Sequence, residues 1–279
     1  MFGASLGFGA WDLELRPASS MLIINADDWG RCVTETQAAL TCFQAGGLQS
    51  VSAMMFMEDS ERSAKVAKDA GIDVGLHLNF NQRFTHNKSA ALAKCHDRVV
   101  RFMSLSKYAQ LLYHPGLRSA VSNVYRAQLD EFVRLYGRTP SHIDGHQHRH
   151  VCANMLLQKV IPTGEIVRRT FSYAPNENGR VYWMYARLVD RALVRRYRVT
   201  DYLFSLSRCL KTNTLDRPYQ LAKSATVELL THPVIPVERA YLTSSAHLNR
   251  IADLPVGSFQ NMQPALAKPC CQTEPTLIA

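Results

Sequence analysis

The residues best suited to chemistry are carboxylates and imidazoles at a few short stations along the chain. Asp27 and Asp28 are adjacent and close an apolar run, His77 stands between two leucines, and His232 follows another apolar run. The segment His142-Ile143-Asp144-Gly145-His146-Gln147-His148-Arg149-His150 packs four histidines and an aspartate into nine positions. If that segment is extended, side chains alternate, and His142, Asp144, His146, His148 and His150 share one side of it. Imidazole with carboxylate is the donor set of zinc, iron, manganese or magnesium sites that keep water positions open, and no cysteine lies inside the cluster to favour a closed thiolate site. Such a site performs metal-assisted hydrolysis. Five candidates exceed the three protein ligands of a usual catalytic site, so some of them orient the ligands instead. Taken singly, an Asp-Asp pair caps a turn or a helix, and a lone histidine sits satisfied in a core. Their recurrence is what favours chemistry.

These stations need elements to hold them. Met21 to Asn25 is a short continuous apolar run, read as a buried strand that ends at Asp27 and Asp28. Glu35 to Ala45 is read as a helix stopped by Gly46-Gly47, Leu48 to Phe56 as a strand, Ser60 to Ala70 as a helix closed by Gly71, and Asp73 to Phe80 as a strand carrying His77. Ala120 to Tyr136 has helical spacing and stops at Gly137 and Pro140. A helix near Asn154 to Ile161, a short unit at Ile166 to Arg168 and a strand at Ala225 to Leu230 follow. The alternation predicts parallel α/β architecture, in which strand-to-helix loops gather active-site groups at one edge. Asp27 and Asp28, His77, the histidine cluster and His232 all fall at such strand ends.

The chain has 279 residues, 47% hydrophobic and 20% charged, which is enough for a sizeable core in one domain of barrel size or two small ones. No uninterrupted apolar stretch reaches the roughly 18 residues of a membrane span. Asp12 and Glu14 stand where a signal peptide needs its apolar centre, and seven scattered cysteines indicate neither a disulfide framework nor a zinc ribbon. A cytoplasmic location is expected. The net charge of +9 could serve nucleic acid, an anionic membrane or an anionic substrate. The arginines lack the glycine-aromatic interleaving or zinc spacing of common nucleic-acid modules, so no nucleic-acid partner is expected.

Ile24-Asn25-Ala26-Asp27-Asp28-Trp29-Gly30, Gly75-Leu76-His77-Leu78, the 142–150 cluster and Glu228-Leu229-Leu230-Thr231-His232-Pro233 together resemble the successive motifs of the YdjC-like carbohydrate deacetylases, over roughly Met21 to His247. That family includes chitooligosaccharide deacetylases and enzymes of lipid-linked amino sugars. The resemblance implies an α/β fold, an irregular (β/α) barrel related to the polysaccharide deacetylases. It implies one divalent metal ion, zinc or magnesium, on Asp28, His77 and His146, with Asp27 as general base and His232 as general acid. His232 as a fourth ligand or a carbonyl hydrogen-bonder is the alternative. Asp144 either fixes the tautomer of a ligand histidine or shapes the turn, and His142, His148, His150 and Arg168 are expected around the ligands or the substrate. Trp29 stands where the family usually has Phe. The expected organisation is an extension over 1–20, a barrel domain over 21–250 with insertions near 82–113 and 172–219, and a poorly ordered tail over 251–279.

One segment departs from what a soluble-sugar enzyme of this family needs. On a helical wheel Arg180, Arg187, Arg191, Arg195 and Arg198 fall on one side, with Val181, Tyr182, Tyr185, Val189, Ala192 and Leu193 on the other. As a charged solvated face this is ordinary. As a basic amphipathic helix, Arg187, Arg191 and Arg195 would meet an anionic membrane from its cytoplasmic side, and the substrate would be an acetylated amino sugar on a polyprenyl phosphate or another glycolipid. The alternative substrate is a soluble N-acetylglucosamine oligosaccharide. A chain that kept the barrel and lost catalysis, acting as a binding protein, is the reading from a different class, and acetate release separates it from an enzyme. The oligomeric state is not legible.

Overall fold

The computed structural model describes residues 20–262 apart from 88, 107 and 173–179. The expected N-terminal extension, except Ser20, and the tail beyond 262 lie outside the described residues. Six strands form one wholly parallel sheet: β1 (Met21–Trp29), β2 (Ser50–Ala53), β3 (Asp73–Leu78), β4 (Ile143–Gly145), β5 (Tyr202–Ser205) and β6 (Thr226–Thr231), in the order β4-β3-β2-β1-β6-β5. The helices are α1 (Val33–Gln44), α2 (Ser60–Ala70), α3 (Ala90–Ser104), α4 (Arg118–Tyr136), α5 (Ala153–Gln158), α6 (Arg180–Val194), α7 (Leu206–Thr212), α8 (Asp216–Ala222), α9 (Pro236–Leu242) and α10 (Ser245–Ala252). None of the described helices is long and apolar enough to cross a membrane.

The sheet curls, and a short seam joins its two edges. Residues 165–168 lie between β4 and the approach to β5: Ile143 pairs with Val167, and Ile166 with Arg198, both parallel. Ile143 N–H donates to Ile166 O at 2.8 Å, Arg168 N–H to Ile143 O at 3.0 Å, and Val167 N–H to Arg198 O at 2.9 Å. The fold is therefore the expected irregular (β/α) barrel.

Strand alternation sorts the side chains into two environments. Leu22, Ile24 and Ala26 of β1 belong to the main core, together with Val51, Val74, Leu76, Leu229 and helix residues such as Ala39, Val121 and Phe132. The other set faces the barrel axis. At its lower end Met21, Ile23, Ile166 and Phe259 make a separate apolar plug. Above the plug the axis is polar, with Asn25, Asp27, Ser50, Ser52, His77, Asp144, Arg168 and Glu228 all buried. Both faces of each strand are covered, which is why β1 reads as an unbroken apolar run.

Two expectations are corrected here. The stretch after Ile251 is partly ordered by pairing: Leu22 N–H donates to Pro255 O at 2.8 Å, and Phe259 is buried against His142 with ring centroids 3.6 Å apart. The basic helix ends at Val194, so Arg195 and Arg198 do not share its face. Pairing with the seam takes over there, as Arg198 N–H donates to Glu165 O at 2.9 Å. Ala186, Val189 and Leu193 of α6 are buried, whereas Met184, Leu188 and Val194 are exposed alongside Arg187 and Arg191.

Candidate active site

A break in β1 brings its two aspartates together. The register of β1 against β2 slips between Ala26 and Trp29, and Asp28 has φ +64°. Consecutive residues of a regular strand point to opposite faces, whereas a bulge re-aims one of them. As a result both Asp27 and Asp28 reach one imidazole: His77 Nε2 is 3.4 Å from Asp28 Oδ1 and 4.0 Å from Asp27 Oδ2. Trp29, next in the chain, is fully buried.

His77 sits on β3 opposite Asp144 of β4 in register. Its Nδ1 lies 2.8 Å from Asp144 Oδ1, which fixes the tautomer and turns Nε2 toward the aspartates. Asp144 thereby takes the first of the two roles open to it. Burial works against charge on His77, but the anions Asp144 and Asp27 outweigh it and hold its pKa well above the ordinary value. Burial also opposes charge on Asp28, yet hydrogen bonds from His146 and His77 keep its carboxyl well below the usual range. The pocket thus favours positive charge.

His146 follows β4 directly, half-buried, with Nδ1 2.9 Å from Asp28 Oδ1. Ligand atoms of Asp28, His77 and His146 lie within 4.8 Å of one another, as do those of Asp27, His77 and Asp144. Convergent carboxylate and imidazole atoms on neighbouring strand ends fit one divalent ion. His232 belongs to neither group. It directly follows Thr231, the register partner of Ala26, and so flanks Asp27 across the β1–β6 pair, half-buried, with its N–H donated to Glu238 Oε2 at 2.6 Å.

The five alternate positions of the cluster, 142, 144, 146, 148 and 150, do not share one face, because β4 ends at Gly145 and residues 146–151 form a tight turn with Gln147 and His148 in the left-handed region. His142 lies below the site, packed across Gly75, where a Cβ would come within 2.2 Å of the imidazole. Its Nε2 is 2.9 Å from Ser52 Oγ and its Nδ1 is 3.1 Å from Ser141 Oγ, and burial lowers its pKa to about 4. His150 is buried with Nε2 donating to Arg168 O at 3.0 Å, and its pKa falls to about 4 for the same reason. His148 is half-buried and edge-on to Phe171 at 4.4 Å.

Arg168, on the seam, is completely enclosed by acids. It donates to Asp27 Oδ2 and Oδ1 at 2.8 and 2.7 Å and to Glu228 Oε1 at 2.7 Å, and its Nη2 is 2.7 Å from Asp144 Oδ2. It orients acids and is not open to substrate. Burial pushes the Glu228 carboxyl up to about 7 despite this neighbour. Ser52 Oγ donates to Asp144 Oδ2 at 2.7 Å, and Asn25 Nδ2 donates to Ser52 Oγ at 2.8 Å and to Asp27 Oδ1 at 3.1 Å. Glu228, Ser52 and Asn25 are site residues that the sequence reading missed. For Glu228 a signal existed, a charge inside the apolar strand Ala225 to Leu230. Beyond Asp28, Arg31 bridges that aspartate at 3.3 Å and Glu35 at 3.0 Å, and burial followed by the charge on Asp28 pushes Glu35 up to about 7.

Comparison with known proteins adds an independent line. The family described as YdjC-like protein matches residues 21–261. A carbohydrate deacetylase of Danio rerio is 30% identical over 131 residues, 47% of this chain and 42% of its own length. One of Mus musculus is 32% identical over 136 residues, 47% of this chain and 43% of its own length. The match thus spans under half the length of these animal relatives. A chitooligosaccharide deacetylase of Yersinia pestis is 23% identical over 252 residues, 89% of this chain and 94% of its own. The crystal structure of an Enterococcus faecalis protein, described as a candidate for cellobiose-phosphate cleavage, superposes with TM-score 0.60 at 17% identity, covering 88% of this chain and 99% of that one. It shares the fold.

Proposed function

The chain belongs to the YdjC-like family, and on that premise we propose that it hydrolyses the N-acetyl group of an amino sugar with one divalent ion, zinc or magnesium, on Asp28, His77 and His146. The observation that carries this reading is the convergence of those three side chains beside Asp27 at one edge of the barrel. A divalent ion there would supply Lewis acidity to the amide carbonyl and to the attacking water. Asp27, held from behind by Arg168, accepts the proton of that water. His232, on the other side of Asp27, donates a proton to the departing amine. Asp144 holds His77 in register, while His142, His150 and Arg168 hold Asp144 and the turn that carries His146.

The favoured substrate is an amino sugar on a lipid carrier such as a polyprenyl phosphate, presented at an anionic membrane from the cytoplasmic side. Its support is the outward face of α6, where Arg187 and Arg191 stand beside exposed Met184 and Leu188, with Arg195 just past the helix end. A soluble N-acetylglucosamine oligosaccharide is the second reading, favoured by the long alignment with the Yersinia protein. The test is acetate release, followed by mass spectrometry, from lipid-linked and soluble acetylated amino sugars with zinc or magnesium supplied. Faster release from the lipid-linked sugar is expected. Release from neither would remove the enzyme reading and favour a binding protein.

A further inference from the structure

Among the described residues two arginines are buried, and they differ in their surroundings. Arg168 is enclosed by three carboxylates. Arg149 is only 8% exposed, and its Nε and Nη1 have no hydrogen-bond partner among the described residues. Among the described residues the ionisable side chains it faces are Cys152 and Tyr185, and burial pushes the thiol up to about 11 and raises the phenol as well, so both are neutral near pH 7. A desolvated guanidinium with neutral surroundings is costly, and an anion that enters to meet it recovers that cost. Its fork of donors matches phosphate oxygens.

The surroundings narrow the choice of anion. Arg149 lies in the turn 146–151, which starts at His146 in the candidate active site and ends at Val151. Val151 lines an open groove of about 310 Å³ with Leu111, Leu156, Leu157, Leu188 and Ala192, between α5 and α6, and no charged side chain lines it. Leu157 and Leu188 are 67% and 66% exposed. Tyr185 lines this groove and is also one of the side chains that Arg149 faces, which makes the guanidinium and the groove neighbours. The groove volume is at the lower end of the roughly 300–1,000 Å³ usual for small-molecule sites. Gln110 and Tyr185 are the polar side chains of its lining and the rest is hydrocarbon, which suits a length of hydrocarbon better than a second sugar ringed by hydroxyls.

We propose that Arg149 and this groove form a lipid-phosphate site, in which the guanidinium takes the phosphate of the sugar's carrier and the groove takes the first carbons of its single hydrocarbon chain. The proposal rests on the lipid-linked reading above, and it can be tested without catalysis. Calorimetric titration of the full chain uses farnesyl phosphate, farnesol and inorganic phosphate as probes. Farnesyl phosphate is expected to bind at least tenfold more tightly than either of the others. Leu188→Asp, on an exposed position, and Arg149→Gln are each expected to weaken it at least tenfold, with Arg149→Lys recovering part of the loss. Farnesol binding as tightly as farnesyl phosphate, or unchanged binding by Leu188→Asp, overturns the proposal even if Arg149→Gln does not fold. Binding that appears only after residues 1–19 are removed gives the groove to the chain's own segment and overturns it. Binding of anionic vesicles without binding of farnesyl phosphate returns the patch to a membrane surface and also overturns it. Farnesyl phosphate binding in a chain that releases no acetate leaves this site standing and removes the deacetylase reading instead.

Discussion

Arg168 grips Asp27 with two parallel hydrogen bonds of 2.8 and 2.7 Å, one to each carboxylate oxygen, from inside a barrel where neither side chain can turn away. The acid we propose as general base is thereby fixed in orientation, and its ionised form has a permanent counter-charge.

Removing that counter-charge exposes its role. Arg168→Met leaves Asp27, Asp144 and Glu228 buried without their cation, and breaking a buried pair in this way costs about 3–5 kcal/mol. Urea unfolding is expected to show a loss of that order, with a smaller one for Arg168→Lys, which keeps the charge but not the fork. Wild-type stability in Arg168→Met would show that the acids are already neutral in the folded chain.

The ligand assignment is tested by metal content. Asp28→Ala, His77→Ala and His146→Ala are each expected to lose bound metal and at least a hundredfold of activity while circular dichroism stays native. Full metal content in all three would move the ion elsewhere.

For Asp27, the amide is the informative change. Asp27→Asn keeps the shape and cannot accept a proton, so turnover should fall by roughly a hundredfold to ten-thousandfold with metal retained and KM little altered. Undiminished kcat would take Asp27 out of the mechanism.

Away from the site, His96 makes stability depend on pH. It is buried, stacked on Phe84 at 3.6 Å, with Nε2 donating to Asn79 O at 3.1 Å, and burial lowers its pKa from 6.5 to about 4. Because the folded value is the depressed one, the unfolded chain takes up this proton first as pH falls. The contribution is fully present above pH 6.5 and is lost progressively down to about 4, on the order of 3 kcal/mol. His96→Gln should flatten that part of the urea-stability profile relative to wild type. An unchanged slope would mean that His96 titrates alike in both states.

On the membrane question, Arg187→Glu with Arg191→Glu should reduce co-sedimentation with anionic vesicles at least tenfold, since each nearby arginine contributes about 1 kcal/mol. High salt should do the same, and neutral vesicles should not bind either form. Equal binding by wild type and variant would leave α6 a purely solvated face.

Where local chemistry decides structure, the sequence was enough. Gly71 and Gly137, both in the left-handed region, end α2 and α4 where the periodicity stops. Asp27, Asp28, His77 and His146 are at strand ends, as the apolar runs require. What could not be read depends on distant contacts. β5 is only four residues inside a basic stretch, and the seam is too short for any pattern, so each exists because its neighbour offers a free edge. The alternation from His142 to His150 fails at Gln147 and His148 because the chain turns left-handed there. The inward row of Asn25, Ser50 and Ser52 is hidden because strands covered on both faces show no period of two.

The seam that closes the barrel also carries Arg168, and this ties two events of assembly together. During synthesis Asp27, Asp28, His77 and Asp144 leave the ribosome before Arg168 does. The first four strands can pair as soon as they emerge, but their inner faces carry carboxylates with no buried cation to meet them. Water has to stay among those acids until residues 165–168 slot in beside β4. Drying of the interior therefore waits for the ring to close, and a chain stalled or clipped ahead of the seam would hold a wet, open sheet with these acids exposed.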